Sequence, residues 1–448
     1  MTPTRALRAT LMAGAALAWP GSVRSQEPVR LPLNRAVTLA MEHMPTLDAA
    51  RAAVLETQGS AREAWAGWWP RLSVDGQVFQ FEEQMIVAPI HELSAAAVRF
   101  DQTTWQANAV LGFLLFDGGA RSGRIAQTRA LGEAAEAGLR DAEQTVVAAV
   151  TQTYGEVHAA HTVVQAAGLQ LRALRAEADR VSQFLAEGRA ARVERMRVDA
   201  AVASATADSA SAASRLATRE AALARLTGLA VDSVRAESLD PLAVRRDTLA
   251  AREPLLAAAL AASPAVEAAR RRGDAAGEAV RVAQGDWYPS VRLEGRTVTY
   301  GDGSGYSTTE WQVGARVSYP LFTGGARGGA VDRARAQEER ALAEARSAEL
   351  DVAGRLDAVL AALDESRARV TALDEATTWL AEVVRTEQLA LSQGAGVQSD
   401  YLRAEADLAR SRAELAGARS AELSARIELE RVLGRLDRTT LATLVGES

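Results

Sequence analysis

Cysteine is absent from this chain of 448 residues, and its absence excludes several kinds of chemistry. Disulfide bonds, thiolate metal sites and a cysteine nucleophile all require a thiol. The lipid anchor of exported bacterial lipoproteins is attached to a cysteine just after the signal segment. We therefore expect a chain that has no disulfide bonds and is not lipidated.

Lysine is also absent, so the 51 basic residues are all arginine. They are outnumbered by 57 acidic residues, which gives a formal net charge of −6, and no basic cluster stands out along the chain. A nucleic-acid partner would need a positively charged footprint. We expect no nucleic-acid binding.

Long apolar runs are missing beyond the first 25 residues, where no uncharged stretch reaches the ~18 residues of a membrane-spanning helix. At the N-terminus, Arg5 and Arg8 precede an apolar stretch over 9–20 and then small residues. This order is typical of a secretory signal, so residues 1–25 are predicted to be a cleaved signal peptide. The exported chain then either remains soluble in the periplasm or spans a membrane with β-strands.

Self-comparison shows that the chain contains a tandem repeat. The segment "WWPRLSVDG" at 68–76 recurs as "WYPSVRLEG" at 287–295, an offset of 219 residues. The segment "WQANAVLGFLLFDGGARSG" at 105–123 recurs as "WQVGARVSYPLFTGGARGG" at 311–329, an offset of 206 residues. Each copy reads as strand, strand, long helix, long helix.

The repeat predicts how the chain is divided. In order, we predict a signal peptide, a first repeat, a linker, a second repeat and a C-terminal tail, at 1–25, 26–230, 231–252, 253–435 and 436–448. The predicted strands lie at about 70–81, 105–116, 289–300 and 311–322. The predicted long helices lie at about 121–187, 193–227, 327–392 and 397–433.

The predicted strands alternate apolar and polar residues over about 9–11 positions, which is typical of transmembrane β-strands. A soluble sandwich has the same period. Aromatic residues at both strand ends favour a bilayer, because two aromatic girdles would then mark its interfaces. The predicted girdle residues are Trp68, Trp69, Trp105, Trp287, Tyr288 and Trp311. Four strands cannot close a barrel and open edges are not tolerated in lipid, so the chain must oligomerise, as a dimer, trimer or larger ring.

The segment Phe-x-Gly-Gly-Ala-Arg stands in both repeats where a strand meets a long helix. Glycine reaches backbone angles closed to other residues, so the segment predicts a sharp strand-to-helix corner. The corner residues are Phe116, Gly118, Gly119, Phe322, Gly324 and Gly325. A phosphate-binding loop is the alternative, but the Gly-Lys-Ser/Thr of that motif is missing.

The long helices carry no catalytic or metal-binding constellation. The first has no proline over 121–187 and would extend about 100 Å, with apolar residues at heptad spacing and one irregular step. His158 and His161 lie three residues apart and could ligate a metal, but no further ligand is near them in the sequence. We expect no enzyme activity, no metal and no cofactor.

A signal peptide, a tandem strand–strand–helix–helix repeat and Phe-x-Gly-Gly corners together resemble the TolC family of outer-membrane efflux ducts. The resemblance covers essentially the whole mature chain. It implies a mostly α-helical fold with a transmembrane β-barrel portion, assembled as a homotrimer. Twelve strands would form the barrel in outer-membrane lipid, and twelve helices would form an α-barrel tunnel across the periplasm.

The resemblance also implies partners and site residues. The chain would be the passive outer-membrane exit duct of a tripartite export system, opened by a periplasmic membrane-fusion adaptor and an inner-membrane pump of the RND, ABC or MFS type. Adaptor contact is implied for the two helix–helix turns: Gly188, Arg189, Ala190, Ala191, Gly394, Ala395, Gly396 and Val397. Of these, Arg189 and Ala395 depart from the family pattern.

The family narrows the tunnel with acidic residues just inside the second turn. The implied aperture residues are Asp400, Arg403 and Glu194, although Arg403 stands where the family has another acid. Asp400 has a simpler alternative as a solvated acid at a helix start, where the helix dipole favours negative charge.

Two other functions stay open from the sequence alone. One is a stand-alone diffusion porin, and the other is a long coiled-coil structural or adhesin protein of the envelope. The exported substrate, whether drug, metal or protein, leaves no pattern in the residues.

Overall fold

The computed structural model describes residues 30–87, 99–239, 243–244 and 250–446, so the predicted signal peptide lies outside the described residues. The helices are α1 (Leu33–His43), α2 (Pro45–Ala66), α3 (Ala120–Ala186), α4 (Arg192–Thr227), α5 (Arg252–Ala262), α6 (Pro264–Gly285), α7 (Ala326–Ser392), α8 (Gln398–Val432) and α9 (Arg438–Leu444). The strands are β1 (Arg71–Ile86), β2 (Phe100–Phe116), β3 (Ala243–Val244), β4 (Ser290–Asp302), β5 (Ser307–Ser318) and β6 (Val445–Gly446). The fold is mostly helical, with one main antiparallel sheet and the small β3–β6 pair.

The main sheet has the order β1–β2–β4–β5, with every neighbouring pair antiparallel. Each repeat contributes one hairpin, and β2 and β4 join the two hairpins at the centre. Among the residues that the structure describes, no strand of this sheet lies beside the outer edge of β1 or of β5. The sheet therefore ends in two open edges.

The strand bounds differ from the sequence estimate at several ends, and β5 begins at Ser307 rather than near 311. β1 and β2 continue past a bulge after Gln80, as far as the pair Ile86 and Phe100. A bulge interrupts alternation, so the period-2 pattern ends there although pairing continues. β5 stops at Ser318 rather than near 322, because Pro320 has no amide hydrogen for the ladder.

The helices form a layer four helices wide. α3 and α7 are each 67 residues long and run from the sheet to the far end of the molecule. α6 and α8 lie between α3 and α7, while α2 and α4 pack against the other side of α3. α7 therefore forms one flank of the layer, and α2 and α4 form the opposite flank.

The main core lies around the middle of α3. Val150 and Tyr154 are fully buried there, and the Tyr154 hydroxyl donates to the Leu31 carbonyl oxygen at 2.9 Å. The core includes α1, α4, α8 and residues of the predicted linker and tail, such as Val234 and Leu441. A single heptad stripe does not describe this part of α3, because several elements pack across it.

Large apolar side chains lie exposed on the outer strands. Val74 of β1 and Trp311 and Val313 of β5 are each more than 70% exposed. Among the described helices, none is both long enough and apolar enough to cross a membrane. Exposed apolar patches of this kind mark surfaces that meet a partner or lipid.

Candidate functional site

Two helix–helix turns form the end of the molecule that is farthest from the sheet. Gly188 follows α3 with φ 74°, and Gly394 follows α7 with φ 73°. In both turns the glycine amide donates to a carbonyl three residues back, in Leu185 and Leu391 respectively, at 3.1 Å. These are left-handed C-caps, which end a helix by satisfying its last carbonyl groups.

The residues predicted to contact an adaptor lie at this end, and most are exposed. Arg189 stacks on Phe184, with its guanidinium carbon 4.6 Å from the ring centroid, and pairs with Glu187 at 3.0 Å. Gly396 has no room for a side chain, because a Cβ atom would lie 2.7 Å from the Leu391 amide nitrogen. Both turns are closed by equivalent backbone hydrogen bonds, from the amides of Arg189 and Ala190 to the Phe184 carbonyl and from those of Ala395 and Gly396 to the Ala390 carbonyl. The remaining predicted turn residues are Gly188, Ala190, Ala191, Gly394, Ala395 and Val397.

The charges of the predicted aperture residues act on an ion pair that the sequence analysis missed. Arg180 on α3 donates two hydrogen bonds to the Glu177 carboxylate, at 2.5 and 2.9 Å. This bond raises the pKa of Arg180, and the negative charges of Asp400 and Glu194 add to the shift. The pKa of Glu177 is lowered, first by the hydrogen bond from Arg180 and to a smaller extent by the charge of Arg403.

Five charged residues from three helices thus interact electrostatically near the tip. Glu177 and Arg180 belong to α3, Glu194 to α4, and Asp400 and Arg403 to α8. A carboxylate and an arginine three residues apart on a helix are a recognisable pair in the sequence. Such pairs recur elsewhere on these helices, however, and only the packing shows which of them meets the aperture residues.

The two strand-to-helix corners adopt the backbone that their glycines predict. Gly118 and Gly119 have φ values of 65° and 85°, and Gly324 and Gly325 have 59° and 85°. The Asp117 carboxylate accepts a hydrogen bond from the Arg121 amide at 2.8 Å at the start of α3. The segment therefore turns the chain from a strand into a helix in both repeats.

The arginine of each corner motif is buried, which the sequence analysis did not predict. Arg121 donates to the carbonyl oxygens of Gly67 and Leu114 at 3.1 and 2.8 Å and lies 3.7 Å from the ring centroid of Trp68. Arg327 donates to the Pro320 carbonyl oxygen just after β5 and stacks near two aromatic rings: Trp287 and Tyr319. Each corner arginine therefore ties a strand end to the start of a long helix.

The six predicted girdle aromatics lie in different environments. Trp68 and Trp287 stack with the corner arginines, as described above. Trp105 lies across Gly301 of β4, and Tyr288 packs against Gly118. Trp69 and Trp311 are 72% and 79% exposed. Of the two corner phenylalanines, Phe116 is half-exposed, while Phe322 is almost fully exposed.

The two histidines of the pair each lie beside another side chain. His161 lies 3.4 Å from Glu237, and the ring of His158 packs against Tyr154. No group of three potential ligand residues (His, Cys, Asp or Glu) is close enough to hold a metal ion within residues 30–87, 99–239, 243–244 and 250–446.

The sequence matches the family model described as "Outer membrane efflux protein" over residues 36–229 and 255–435. No curated protein sequence matches the chain significantly. The fold is similar to that of the outer membrane protein VceC from Vibrio cholerae, with a TM-score of 0.71 and 21% identity over 90% of this chain and 96% of that one.

Two further solved structures share this fold. The CmeC outer membrane channel of Campylobacter jejuni has a TM-score of 0.75 and 13% identity, over 92% of this chain and 88% of that one. The open state of the MtrE outer membrane channel of Neisseria gonorrhoeae has a TM-score of 0.69 and 20% identity, over 93% of this chain and 94% of that one. At these identities the likeness concerns the fold.

Proposed function

Because the chain belongs to the outer membrane efflux protein family, we propose that it is the passive exit duct of a tripartite export system. Members of this family are outer-membrane channel proteins and not enzymes. The energy for export would come from an inner-membrane pump, and a periplasmic adaptor would couple the pump to this duct. The match of both repeats to one family model carries the proposal.

The open flanks of a single copy support a ring. One flank carries β1, α2 and α4, and the other carries β5 and α7. Two different surfaces that meet head to tail generate a closed ring when the rotation closes. Three copies, the number implied by the resemblance, would supply twelve strands for a barrel and a continuous wall of helices.

The exposed apolar side chains support insertion of the sheet into lipid. Leu72, Val74 and Val78 lie on one face of β1, and Val313 and Val317 lie on one face of β5. The intervening residues are mostly polar and would face the interior, as in transmembrane barrels. The aromatic residues at the strand ends would then meet the two membrane interfaces.

The charged cluster at the tip supports a closed resting aperture. In a ring, each copy would present Glu177, Arg180, Glu194, Asp400 and Arg403 near the axis. The exposed turns at Gly188 and Gly394 would contact the adaptor, which would dilate this end. The proposal assigns adaptor contact and gating to neighbouring but separate residues.

The function is tested by deleting the gene and measuring the retention of fluorescent dyes, drugs and metals, together with protein secretion. We expect at least one class of compound to accumulate, with recovery when the wild-type gene is restored. Unchanged susceptibility to every compound together with normal secretion would refute the export function. High solute leakage through the purified protein in liposomes, without an adaptor, would favour a diffusion porin.

Replacing Asp400 with alanine is expected to raise the single-channel conductance in a planar bilayer. Asp400 lies near Arg180, so removing its charge should weaken the attraction that holds α8 close to α3. Asp407→Ala, one heptad farther along α8, is the matched control and should leave conductance near wild type. Equal conductance in Asp400→Ala and wild type would instead assign Asp400 to a solvated helix start.

Acid is expected to open the tip. The pKa of Glu177 is lowered first by Arg180 on the same helix and to a smaller extent by the charge of Arg403 on α8, so ionised Glu177 attracts α8 at pH values above its ordinary carboxyl pKa of 4.5. This contribution disappears as the pH falls through the lowered pKa. Conductance should therefore stay constant from about pH 7 to pH 5 and rise below about pH 4.

Glu177→Gln is the matched control for this acid response, because it preserves the shape of the side chain and removes the titrating group. Its conductance should be raised at neutral pH and should change less on acidification than that of wild type. An acid step of unchanged size in this variant would show that another group controls the response.

A further inference from the structure

The polar face of the main sheet carries an uneven distribution of charge. Residues at every second position of a strand lie on one face, and residues opposite each other on neighbouring strands share that face. The strand pairing places Arg71 in line with Glu294, through one residue of β2, and it places Arg292 directly opposite Arg316. Arg296 lies on the same face, two residues after Glu294. These four arginines, with Glu294 among them, form a patch at the helix end of the sheet, which we call the arginine belt.

Acidic residues lie farther from the helices on the same face. Asp75 and Glu310 are in line with each other through Asn108 and Val298. Val298 is six residues along β4 from Arg292, which corresponds to about 20 Å. The four arginines and one glutamate of the belt give a formal charge of +3 in each copy, whereas the acidic row carries −2. Charge is therefore segregated along this face.

The repeat indicates that strand formation does not require the belt arginines. At offsets of 219 and 206 residues, the first-repeat counterparts of Arg292, Arg296 and Arg316 are uncharged: Ser73, Gln77 and Val110. Arg71 corresponds in turn to Ser290 of the second repeat. Uncharged residues at the equivalent positions form the same strands, so the positive charge needs another explanation.

The structure leaves most of this positive charge unpaired. Arg292 and Arg316 lie directly opposite each other, and like charges in this arrangement destabilise an antiparallel pair. Glu294 contacts Arg316 at 3.2 Å, and it is the only acid that pairs with a belt arginine among residues 30–87, 99–239, 243–244 and 250–446. An anion between these side chains would offset their repulsion.

A cavity of about 750 Å³ lies where the polar face meets α2 and α3. Arg71 and Arg292 line it from the sheet, and Arg121 and Arg124 line it from α3. Arg121 is buried there, and its guanidinium donates to carbonyl oxygens rather than to an acid among the described residues. The acidic residues of the lining are fewer: Glu63, Asp117 and Glu294. The excess of positive charge therefore continues from the belt to the start of the long helix.

We propose that the arginine belt favours the passage of anionic solutes, so that the duct exports compounds bearing carboxylate, phosphate or sulfonate groups. This inference rests on the duct function proposed above and names its substrate class. The polar face would line the interior of the ring, where one belt from every copy would surround the passage. Passages lined by one sign of charge, with low-dielectric walls, concentrate ions of the opposite sign.

The guanidinium group suits the recognition of such anions. It stays charged at every physiological pH, and its planar donors match carboxylate and phosphate groups in pairs. Transport also requires that the solute leaves, so binding along a passage must be favourable enough for entry and weak enough for release. The acidic row beyond the belt would repel a bound anion and limit how long the belt holds it.

Reversal potentials in a planar bilayer under a KCl gradient test the preference, because potassium and chloride diffuse at similar rates in water. Arg71→Gln/Arg292→Gln/Arg316→Gln removes the charge, and Arg71→Lys/Arg292→Lys/Arg316→Lys is the matched control that preserves it. All these proteins have the same tip, so a difference between them reports on the barrel. The yield of SDS-resistant oligomer measures assembly. If the triple glutamine variant does not assemble, Arg316→Gln gives the same comparison at a side chain that is 69% exposed.

We expect chloride to permeate the wild-type duct more readily than potassium. The ratio of chloride to potassium permeability should fall severalfold in the glutamine variant and stay near the wild-type ratio in the lysine variant. Citrate, used as a tricarboxylate probe, should reduce the conductance of wild type more than that of the glutamine variant. High salt should diminish these differences, because it screens the charge of the belt.

The alternative outcomes separate the anion preference from the duct function. Equal permeability ratios in wild type and the glutamine variant would overturn the preference, as would a wild-type duct that favours potassium. An equal fall in the glutamine and lysine variants would overturn it too, because the arginines would then maintain the shape of the barrel. All three outcomes leave a conducting duct. An assembled protein that does not conduct would instead overturn the proposed duct and the inference with it.

Discussion

We expect the substitution Gly118→Ala to prevent most of the protein molecules from reaching their folded, assembled form. The φ of 65° alone costs about 1–2 kcal/mol for a residue with a side chain. A Cβ atom at this position would also overlap the Gly285 carbonyl oxygen and lie 2.8 Å from the Tyr288 Cβ atom. Overpacking of this kind costs about 1–3 kcal/mol more, because backbone rather than a flexible side chain must move.

The yield of SDS-resistant oligomer and the midpoint of urea unfolding measure this effect. Gly119→Ala is the matched control, because Gly119 has a φ of 85° but its nearest neighbour would be the Ser122 Oγ atom at 3.7 Å. The control should show the backbone strain without the overlap, and therefore a smaller loss. Equal losses in the two variants would mean that the contact with α6 and β4 does not constrain the corner.

Charge reversal at Arg180 is expected to open the tip more than any single neutral substitution there. Arg180 is hydrogen-bonded to Glu177 and lies in the field of Asp400 and Glu194. Arg180→Glu would place four acidic side chains in this cluster of each copy and would remove the cation that pairs with Glu177. Like charges that lie close together repel each other. In a ring, every copy would contribute such a cluster around the axis.

We expect a severalfold rise in single-channel conductance for Arg180→Glu, reduced at high salt because screening weakens the repulsion. Arg385→Glu is the matched control, since Arg385 forms the same kind of pair with Glu382 on α7 at 2.5 and 2.8 Å. Only Glu382 raises the pKa of Arg385, so its reversal adds no comparable cluster. Equal conductance in both variants would contradict a special role for Arg180.

The resemblance to an efflux-duct family can be predicted from the sequence, because the patterns that carry it are local and occur twice. Alternation within a strand and the positive φ of glycine depend on neighbouring residues alone. Phe-x-Gly-Gly-Ala-Arg occurs at the equivalent position of both repeats, so the sequence predicts both corners without any tertiary contact. The match of the family model over both repeats confirms the resemblance.

Contacts between distant residues required the tertiary structure. Arg121 and Arg327 look like ordinary surface residues after a glycine turn, yet both are buried against carbonyl groups and aromatic rings. Glu177 and Arg180 resemble many other pairs on long helices, and only the packing of α3 against α4 and α8 brings the aperture residues to them. Periodicity identifies which face of a helix is apolar, but not which partner covers it.

The sequence by itself determined the repeat and the order of strands and helices. It also determined that four strands cannot close a barrel, so that further copies of the chain are needed. The structure alone decided that β2 pairs with β4, and hence which two edges remain open. The physical reason is that a strand can pair with any complementary edge, whereas the choice among edges depends on the packing of the whole chain.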